Sequence, residues 1–398
     1  MRAMLVGMPG SVHMTRIADT LLSGGWEVAV FPSDNHGVHA GFRGVTLFQP
    51  PGYRDYEERP GLRVERLRGL PARAPKAVSL AHAIRRFRPD VISAQEIMHG
   101  GYVSTDAARL LLKPPPIVMV IWGSDMSLRA RIPAERQRIQ RALGKTDVLT
   151  ADCERDLWHA RRLGYAGETA MAMPIAGGFD IDAAAALMAP GPPSRRRTIG
   201  VKGYQHFAGR AQVALRALEL CGASLSGMTL ALHSVAPDEE ILARRVAARA
   251  GMELEVVATR LVPVPHEDVL RLHGRSRISV GLSIADGIST GLLEAMLMGS
   301  FPIQSGTACV NEWIEDGRTA LVVPPEDPHA VAAAVKRALS DDALVDSAAA
   351  INATVARARL DAKVLDERVL ALYARMAKGA IVRASALPPP SRFGQEPA

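Results

Sequence analysis

The sequence predicts an α/β fold built from two doubly wound units. Three observations carry this. Met4-Leu5-Val6, a Gly/Pro loop, a helical stretch and Val28–Phe31 form a strand, loop, helix and strand in succession, the βαβ unit of a parallel sheet. The same alternation starts afresh after an Ala/Pro-rich stretch near residue 190. The chain has 398 residues, too many for one compact core and enough for two.

The elements follow in order. Ser11 is placed to cap a helix over Val12–Leu22, with Met14, Ile17, Ala18, Leu21 and Leu22 at helical spacing and Gly24-Gly25 as its stop. A helix over 77–87 precedes a strand over 90–94. Strands over 117–121 and 148–151 follow, the first ending at Trp122-Gly123-Ser124-Asp125, and 170–175 reads as the last strand of this half. Residues 183–197 run through Ala and Gly-Pro-Pro to Arg195-Arg196-Arg197 and read as a linker. The second half opens with a strand over 198–201, a polar loop over 202–209 and a helix over 211–220. Strands over 229–233, 253–257, 279–282 and 301–305 then alternate with helices over 239–250, 266–272, 290–298 and 328–339. The expected organisation is 1–182, linker 183–197, 198–360, a terminal helix 361–377, and a disordered tail 378–398 that contains Pro388-Pro389-Pro390. Ligands of open α/β sheets bind outside the carboxyl ends of the strands, so two such units predict a cleft fed by loops of both.

Composition excludes several classes. Hydrophobic residues make up 48% and charged residues 22%, a soluble globular balance. No apolar run approaches a membrane span, and Gly7, Pro9 and Gly10 interrupt any leader-like segment. Cys153, Cys221 and Cys309 are odd in number and far apart, which predicts neither a disulfide framework nor a structural zinc site, and a cytoplasmic location. Residues 1–180 hold 24 basic against 18 acidic side chains, and the rest hold 24 against 23. The basic excess therefore lies in the first half. It suits an anionic membrane surface or a lipid-linked acceptor, or is simply an Arg-rich solvated surface. Aromatics are 5%, too few for a nucleic-acid stacking platform, so no nucleic-acid partner is expected. Gly7-Met8-Pro9-Gly10 is not G-x-G-x-x-G and gives no support to a nicotinamide cofactor. Asp180-Ile181-Asp182 has the form of a metal-binding D-x-D but reads as an ordinary turn, and no metal is expected.

The richest chemistry lies between Ser283 and Ile303. A strand ends at Ser283, a loop carries Asp286 and Gly287, and a helix starts near Ser289 or Thr290, runs through Gly291 and stops at Gly299. A helix N-terminus offers unpaired amides and the positive end of a dipole, a natural anion site. Asp286 and Glu294 flank it and could accept hydrogen bonds from sugar hydroxyls. The alternative is a dipole-stabilised helix with an acid at its start.

This run, an acid and Gly, Glu eight residues after the acid, then Ala-Met-x-x-Gly, Pro-Ile-x-Ser and a later Trp313 and Pro324-Pro325-Glu326, resembles the donor-binding signature of the retaining glycosyltransferases of family 4, the glycosyl transferases group 1. One residue usually separates that Gly from the Pro; here Ser300 and Phe301 both do. The resemblance implies the GT-B fold, two facing Rossmann-like domains with a C-terminal helix crossing back. It implies a metal-independent enzyme that moves a hexose or N-acetylhexosamine from a nucleotide diphosphate sugar, UDP by preference, to an acceptor hydroxyl with retention. Front-face attack is the implied route. Asp286, a Glu in most of the family, would touch the donor sugar and Glu294 the ribose. Ser289, Thr290 and Gly291 would line the diphosphate, and Arg260-Leu261 the base. Lys202 and Arg210 match the family's phosphate-facing cations with the residue types swapped. In the first half, Gly10, Ser11 and His13 match the family's glycine-rich loop. Trp122 stands where many members have a His that contacts the donor sugar, and it cannot accept a hydrogen bond. Asp125 would supply the polar contact there, and His99, in the loop after the strand over 90–94, lies nearby without matching a family motif. The basic first half favours a lipid-linked or cell-surface glycan over a small metabolite as the acceptor, and permits peripheral contact at the inner face of the membrane. The competing readings are a non-catalytic sugar-nucleotide-binding subunit and a GT-B sugar-nucleotide epimerase.

Overall fold

The computed structural model describes residues 1–170, 177–262 and 264–380. They form two compact units, Met1–Gly178 together with the chain from Lys363, and Phe179–Ala362.

The first unit is a parallel sheet of eight strands among the described residues: β1 Arg2–Gly7, β2 Glu27–Pro32, β3 Val45–Gln49, β4 Leu62–Arg66, β5 Val91–Gln95, β6 Ile117–Ile121, β7 Val148–Ala151 and β8 Glu168–Thr169. Their order is β4-β3-β2-β1-β5-β6-β7-β8. Helices α1 Val12–Ser23, α2 Lys76–Phe87, α3 Tyr102–Ala108, α4 Ser124–Ser127, α5 Pro133–Leu143 and α6 Glu154–Arg162 connect them. The period of two in β1 sorts its side chains between two apolar layers. Met4 and Val6 pack with Leu80, Ile84 and Ile139 of α2 and α5. Ala3 and Leu5 pack with Met14 and Leu21 of α1 and with Val369, Leu372 and Tyr373.

The second unit has six parallel strands among the described residues: β9 Thr198–Lys202, β10 Thr229–His233, β11 Glu253–Val256, β12 Ser276–Gly281, β13 Phe301–Ser305 and β14 Leu321–Val323, in the order β11-β10-β9-β12-β13-β14. Its helices are α7 Ile181–Ala185, α8 Ala211–Cys221, α9 Pro237–Ala250, α10 His266–Arg275, α11 Thr290–Leu297, α12 Pro328–Ser340 and α13 Asp342–Arg359. One apolar layer joins Ile199, Val201, Leu230 and Leu232 to α8, α9 and α12. The other joins Leu270, Leu292, Leu293 and Met296 to Phe179, Ile181 and Trp313. Helix α14, Ala362–Ala377, starts at the boundary and returns to the first unit, where the Tyr373 hydroxyl lies 2.5 Å from Ser93 Oγ.

The α/β class and both doubly wound sheets are as the sequence predicts. The linker over 183–197 is not. The chain divides at Phe179, and this segment is packed inside the second unit. Ile181 and Ala184 are buried in its apolar layer, Ser194 bonds both oxygens of Asp346, and Arg196 donates to the carbonyls of Ser276 and Met298. An Ala-rich stretch looked like a spacer because small residues carry little hydropathy signal, yet they fit closely packed helices. Of the strand expected over 170–175, residues 171–175 lie outside the described residues, as do 381–398 of the expected tail. Helix α13 escaped prediction for the same reason as the linker: its buried face is Val345, Ala348, Asn352 and Ala356.

Each sheet has one switch point. Chain order reverses at β1, flanked by β2 and β5, and at β9, flanked by β10 and β12. The loops after β1 and β5, and after β9 and β12, therefore open crevices at the carboxyl edges, where such sheets bind ligands.

Candidate functional site

At the second unit's switch point the predicted residues come together. Lys202 ends β9 and donates from Nζ to Ser289 Oγ at 3.3 Å. Ser289 is the N-cap of α11, and its side chain gives no capping bond to the helix; the hydroxyl faces the lysine instead. Thr290 is the first helical residue. A methyl group added at Gly291 would lie 3.7 Å from Ser289 Oγ, and 3.9 Å from both Lys202 Cδ and the His233 ring. Lysine, hydroxyl, first-turn backbone and histidine thus border one small space beside a positive helix end. Gly287 is buried, and its carbonyl is held by the Cys309 amide at 2.8 Å, which pins the loop.

Asp286 is half-buried beside Tyr204, a residue of the β9 loop that the sequence did not single out. Burial raises the Tyr204 phenol, Asp286 raises it further, and Arg260 opposes them. The Arg260 guanidinium lies 4.7 Å above the Tyr204 ring, and the Tyr204 hydroxyl is 3.2 Å from His206 Nε2. Arg260 and Leu261 are exposed at the tip of the loop after β11, whose Arg260 amide bonds Val235 O. Tyr204 is therefore the link that brings the β9 and β11 loops to Asp286.

Arg210 is placed differently from its expected role. Its Nε pairs with Glu326 at 2.9 Å, and its Nη1 reaches the carbonyls of His206, Phe207, Ala208 and Gly209. Its Nη1 group is turned to the 203–209 loop and its Nε to Glu326. It braces that loop, and Lys202 is the cation at the helix end.

Glu294 lies in the second turn of α11 and is 5% exposed. His266 Nε2 is 2.7 Å from Oε1, and His273 Nε2 is 3.5 Å from Oε2. Burial by itself would raise this carboxyl, but the hydrogen bonds and charge of His266 and His273 hold it far below the usual carboxylate range. His273 Nδ1 is 2.8 Å from Ser279 Oγ, which is 2.7 Å from Ser300 Oγ. The His233 ring meets the His273 ring edge-on at 5.3 Å. Burial, with His273 and Lys202, pushes His233 down to about 3 against the pull of Glu294. Sequence reasoning missed these three histidines. One signal was available: His266 and His273 are seven apart, two turns on one helix face. The residue extra to the family spacing, Ser300, also finds its place here, fully buried at the end of this chain.

In the first unit the switch-point loops hold Gly10, Ser11 and His13 on one side and His99 on the other. Ser11 caps α1 as predicted, accepting from the His13 amide at 3.2 Å. Gly10 sits where an added methyl would stand 3.1 Å from Gly37 O. The His13 ring meets the Trp122 ring edge-on at 5.2 Å, and Trp122 Nε1 is buried without a hydrogen-bond partner among the described residues. Asp125 does not supply the expected ligand contact. It is fully buried, and its oxygens accept from the backbone amides of Ile97, Trp122, Gly123 and Met126, so it builds the turn. The polar group that sequence reasoning missed is Glu96. It stands at φ +59°, in the left-handed region, opening the π-helical turn Glu96–Gly101. It is 4% exposed and accepts from the His99 amide at 3.0 Å. Burial and the Asp125 carboxylate raise its carboxyl well above the ordinary range. His99 is half-buried and lowered, first by burial and then by Lys76, His36 and Arg129 against Asp34. The D-x-D carboxylates have ordinary duties: Asp180 caps α7 through the Ala183 amide and Asp182 pairs with Arg357.

The crevice thus combines a cation, a helix end and two flanking carboxylates on a doubly wound sheet. Two family models match the chain in succession, glycosyl transferase 4-like over residues 2–152 and glycosyl transferases group 1 over residues 201–341. The chain belongs to the glycosyltransferases of GT-B fold. Solved structures of similar fold include sucrose-phosphate synthase (tll1590) from Thermosynechococcus elongatus, with a TM-score of 0.69, 16% identity and coverage of 95% of this chain and 99% of that one. Anabaena Alr3699/HepE in complex with UDP-glucose matches at 0.67 and 14%, over 94% and 99%. A UDP-forming α,α-trehalose-phosphate synthase from Burkholderia xenovorans matches at 0.65 and 14%, over 94% and 99%. No curated protein matches the chain in sequence.

Proposed function

We propose that this chain transfers a hexose or N-acetylhexosamine from a UDP-sugar to an acceptor hydroxyl, with retention, by front-face attack and without a metal. The observation that carries this is the contact of Lys202 with Ser289 at the start of α11, between Asp286 and Glu294. In that reading Lys202 and the α11 amides take the charge that grows on the leaving diphosphate. Asp286 holds a hydroxyl of the sugar. Glu294 holds the ribose. Tyr204 and Arg260 offer a stacked ring and guanidinium to the base. Arg210 contributes by bracing the 203–209 loop. UDP is favoured because Alr3699/HepE is described with UDP-glucose and the trehalose-phosphate synthase as UDP-forming.

The test is release of UDP from a panel of UDP-sugars, with and without EDTA, in wild type and Asp286→Ala. Turnover that survives EDTA and collapses in the variant supports the reading. Turnover abolished by EDTA removes the metal-independent mechanism. Binding without turnover across acceptors supports a non-catalytic subunit, a reading to which Trp122, in place of a hydrogen-bonding His, lends weight. Interconversion of the sugar nucleotides without UDP release supports an epimerase.

We also propose a lipid-linked or cell-surface glycan as acceptor, in polysaccharide synthesis at the cytoplasmic face of a membrane. In support, a polar cavity of about 170 Å³ between α3 and α5 is lined by Arg109, Arg138 and Arg141, and Leu110 and the fully exposed Leu112 follow α3. No helix among the described residues is long and apolar enough to cross a membrane. Sedimentation with phosphatidylglycerol vesicles but not phosphatidylcholine vesicles, lost in Leu112→Asp, is the expected result.

A further inference from the structure

One helix sets a histidine near each oxygen of Glu294 and bonds one of them. His266 opens α10 and stands against Oε1, and His273, two turns later on the same face, stands against Oε2. Neither histidine belongs to the motif that carries the family resemblance. A carboxylate has about four lone-pair positions, so the single hydrogen bond from His266, with His273 Nε2 standing 3.5 Å away, leaves at least two for a ligand. A ribose presents two adjacent hydroxyls, a pair of donors that fits what is left.

The two histidines are held differently. His273 is 2% exposed and anchored through Ser279 to Ser300, a chain of O–H groups that leaves its Nε2 to face the carboxylate. The His266 side chain is 35% exposed and rests against the Phe179 ring, with centroids 5.8 Å apart. His266 thus stands between Glu294 and the solvent from which a ligand arrives.

We infer that His266 is a positioning residue for donor binding: its Nε2–H fixes the rotation of the Glu294 carboxylate so that the free lone pairs meet the two ribose hydroxyls. The inference rests on the proposed role of Glu294. A carboxylate free to rotate lowers the fraction of molecules ready to bind, and affinity falls by that fraction.

The experiment compares UDP with 2′,3′-dideoxy-UDP, by calorimetry, in wild type, His266→Ala, His266→Gln and Glu294→Gln. Wild type is expected to prefer UDP. His266→Ala should lose about tenfold in UDP affinity, the worth of one charge-assisted hydrogen bond, with dideoxy affinity unchanged. His266→Gln, which returns an N–H donor, should restore the preference. Because the side chain is partly exposed, a melting curve near that of wild type is expected for both His266 variants. Equal losses for the two nucleotides in His266→Ala, or a preference that survives it while Glu294→Gln abolishes it, overturn the role of His266 and leave Glu294 on the ribose. A wild type indifferent to the missing hydroxyls, or to UDP altogether, overturns the donor reading itself and this inference with it.

Discussion

Asp286 is one methylene shorter than the Glu that most of its family carries, and the structure sets it beside Tyr204. If it bonds a sugar hydroxyl, Asp286→Ala forfeits one charged hydrogen bond, and turnover should fall about 10- to 100-fold. Asp286→Glu should keep activity and change the preferred sugar, which competition between UDP-sugars would read. The histidines give a second test. His233 is neutral in the folded protein, pushed down to about 3, against an ordinary 6.5 when unfolded. The unfolded chain therefore binds the extra proton first as pH falls. Stability present above pH 6.5 should be lost on acidification toward pH 3, by at most about 1.4 kcal/mol per pH unit from this group. Glu294 acts in the same direction, because its depressed carboxyl resists protonation while the unfolded one accepts it. Urea melts between pH 7 and 5 should show the slope, and His233→Asn should flatten it.

At the scale of the element, the turn after β5 has the opposite sign. Glu96 opens it in a left-handed conformation, buried, with its carboxyl raised by burial and by Asp125. A raised carboxyl is protonated when folded, so its contribution is full below the ordinary carboxylate range and lost as pH rises through the folded value. Glu96→Gln keeps an acceptor for the His99 amide and removes the titration. It should raise the melting temperature at pH 8 more than at pH 5; an equal change at both would show that Glu96 carries no buried charge. The loop after β9 is the other element with a clear rule. Its Arg210 holds four carbonyls and Glu326, so Arg210→Ala should loosen the loop and raise amide exchange over 203–209. Sequence spacing singled out this arginine as a phosphate-facing cation. It could not say which way the guanidinium turns, since that is decided by carbonyls folded back beneath it.

At the scale of the molecule, the first unit is completed by a helix from the far end of the chain. Val369, Leu372, Tyr373 and Met376 of α14 are buried among β1, β2 and α1 residues. Truncation after Leu360 should strip protection from the first unit's strands in hydrogen exchange and leave β9–β13 protected. Tyr373→Ala, which empties a fully buried site, should cost about 3–5 kcal/mol by the usual scale of such truncations.

The sequence by itself determined the two doubly wound sheets, because strand and helix periods, caps and glycine stops are local signals. β6, β7, β10 and β13 span the predicted residues, and α1 starts at its predicted cap. It also singled out residues that lie together along the chain at the second switch point, Asp286, Gly287, Ser289, Thr290, Gly291 and Glu294. Tertiary structure decided the rest. The meeting of His233, His266, His273, Ser279 and Ser300 with Glu294 joins β10, α10, β12, α11 and the residue before β13, and no spacing along the chain encodes it. The same holds for Asp125. A carboxylate reads alike in sequence whether it faces a ligand or four backbone amides, and only burial separates the two.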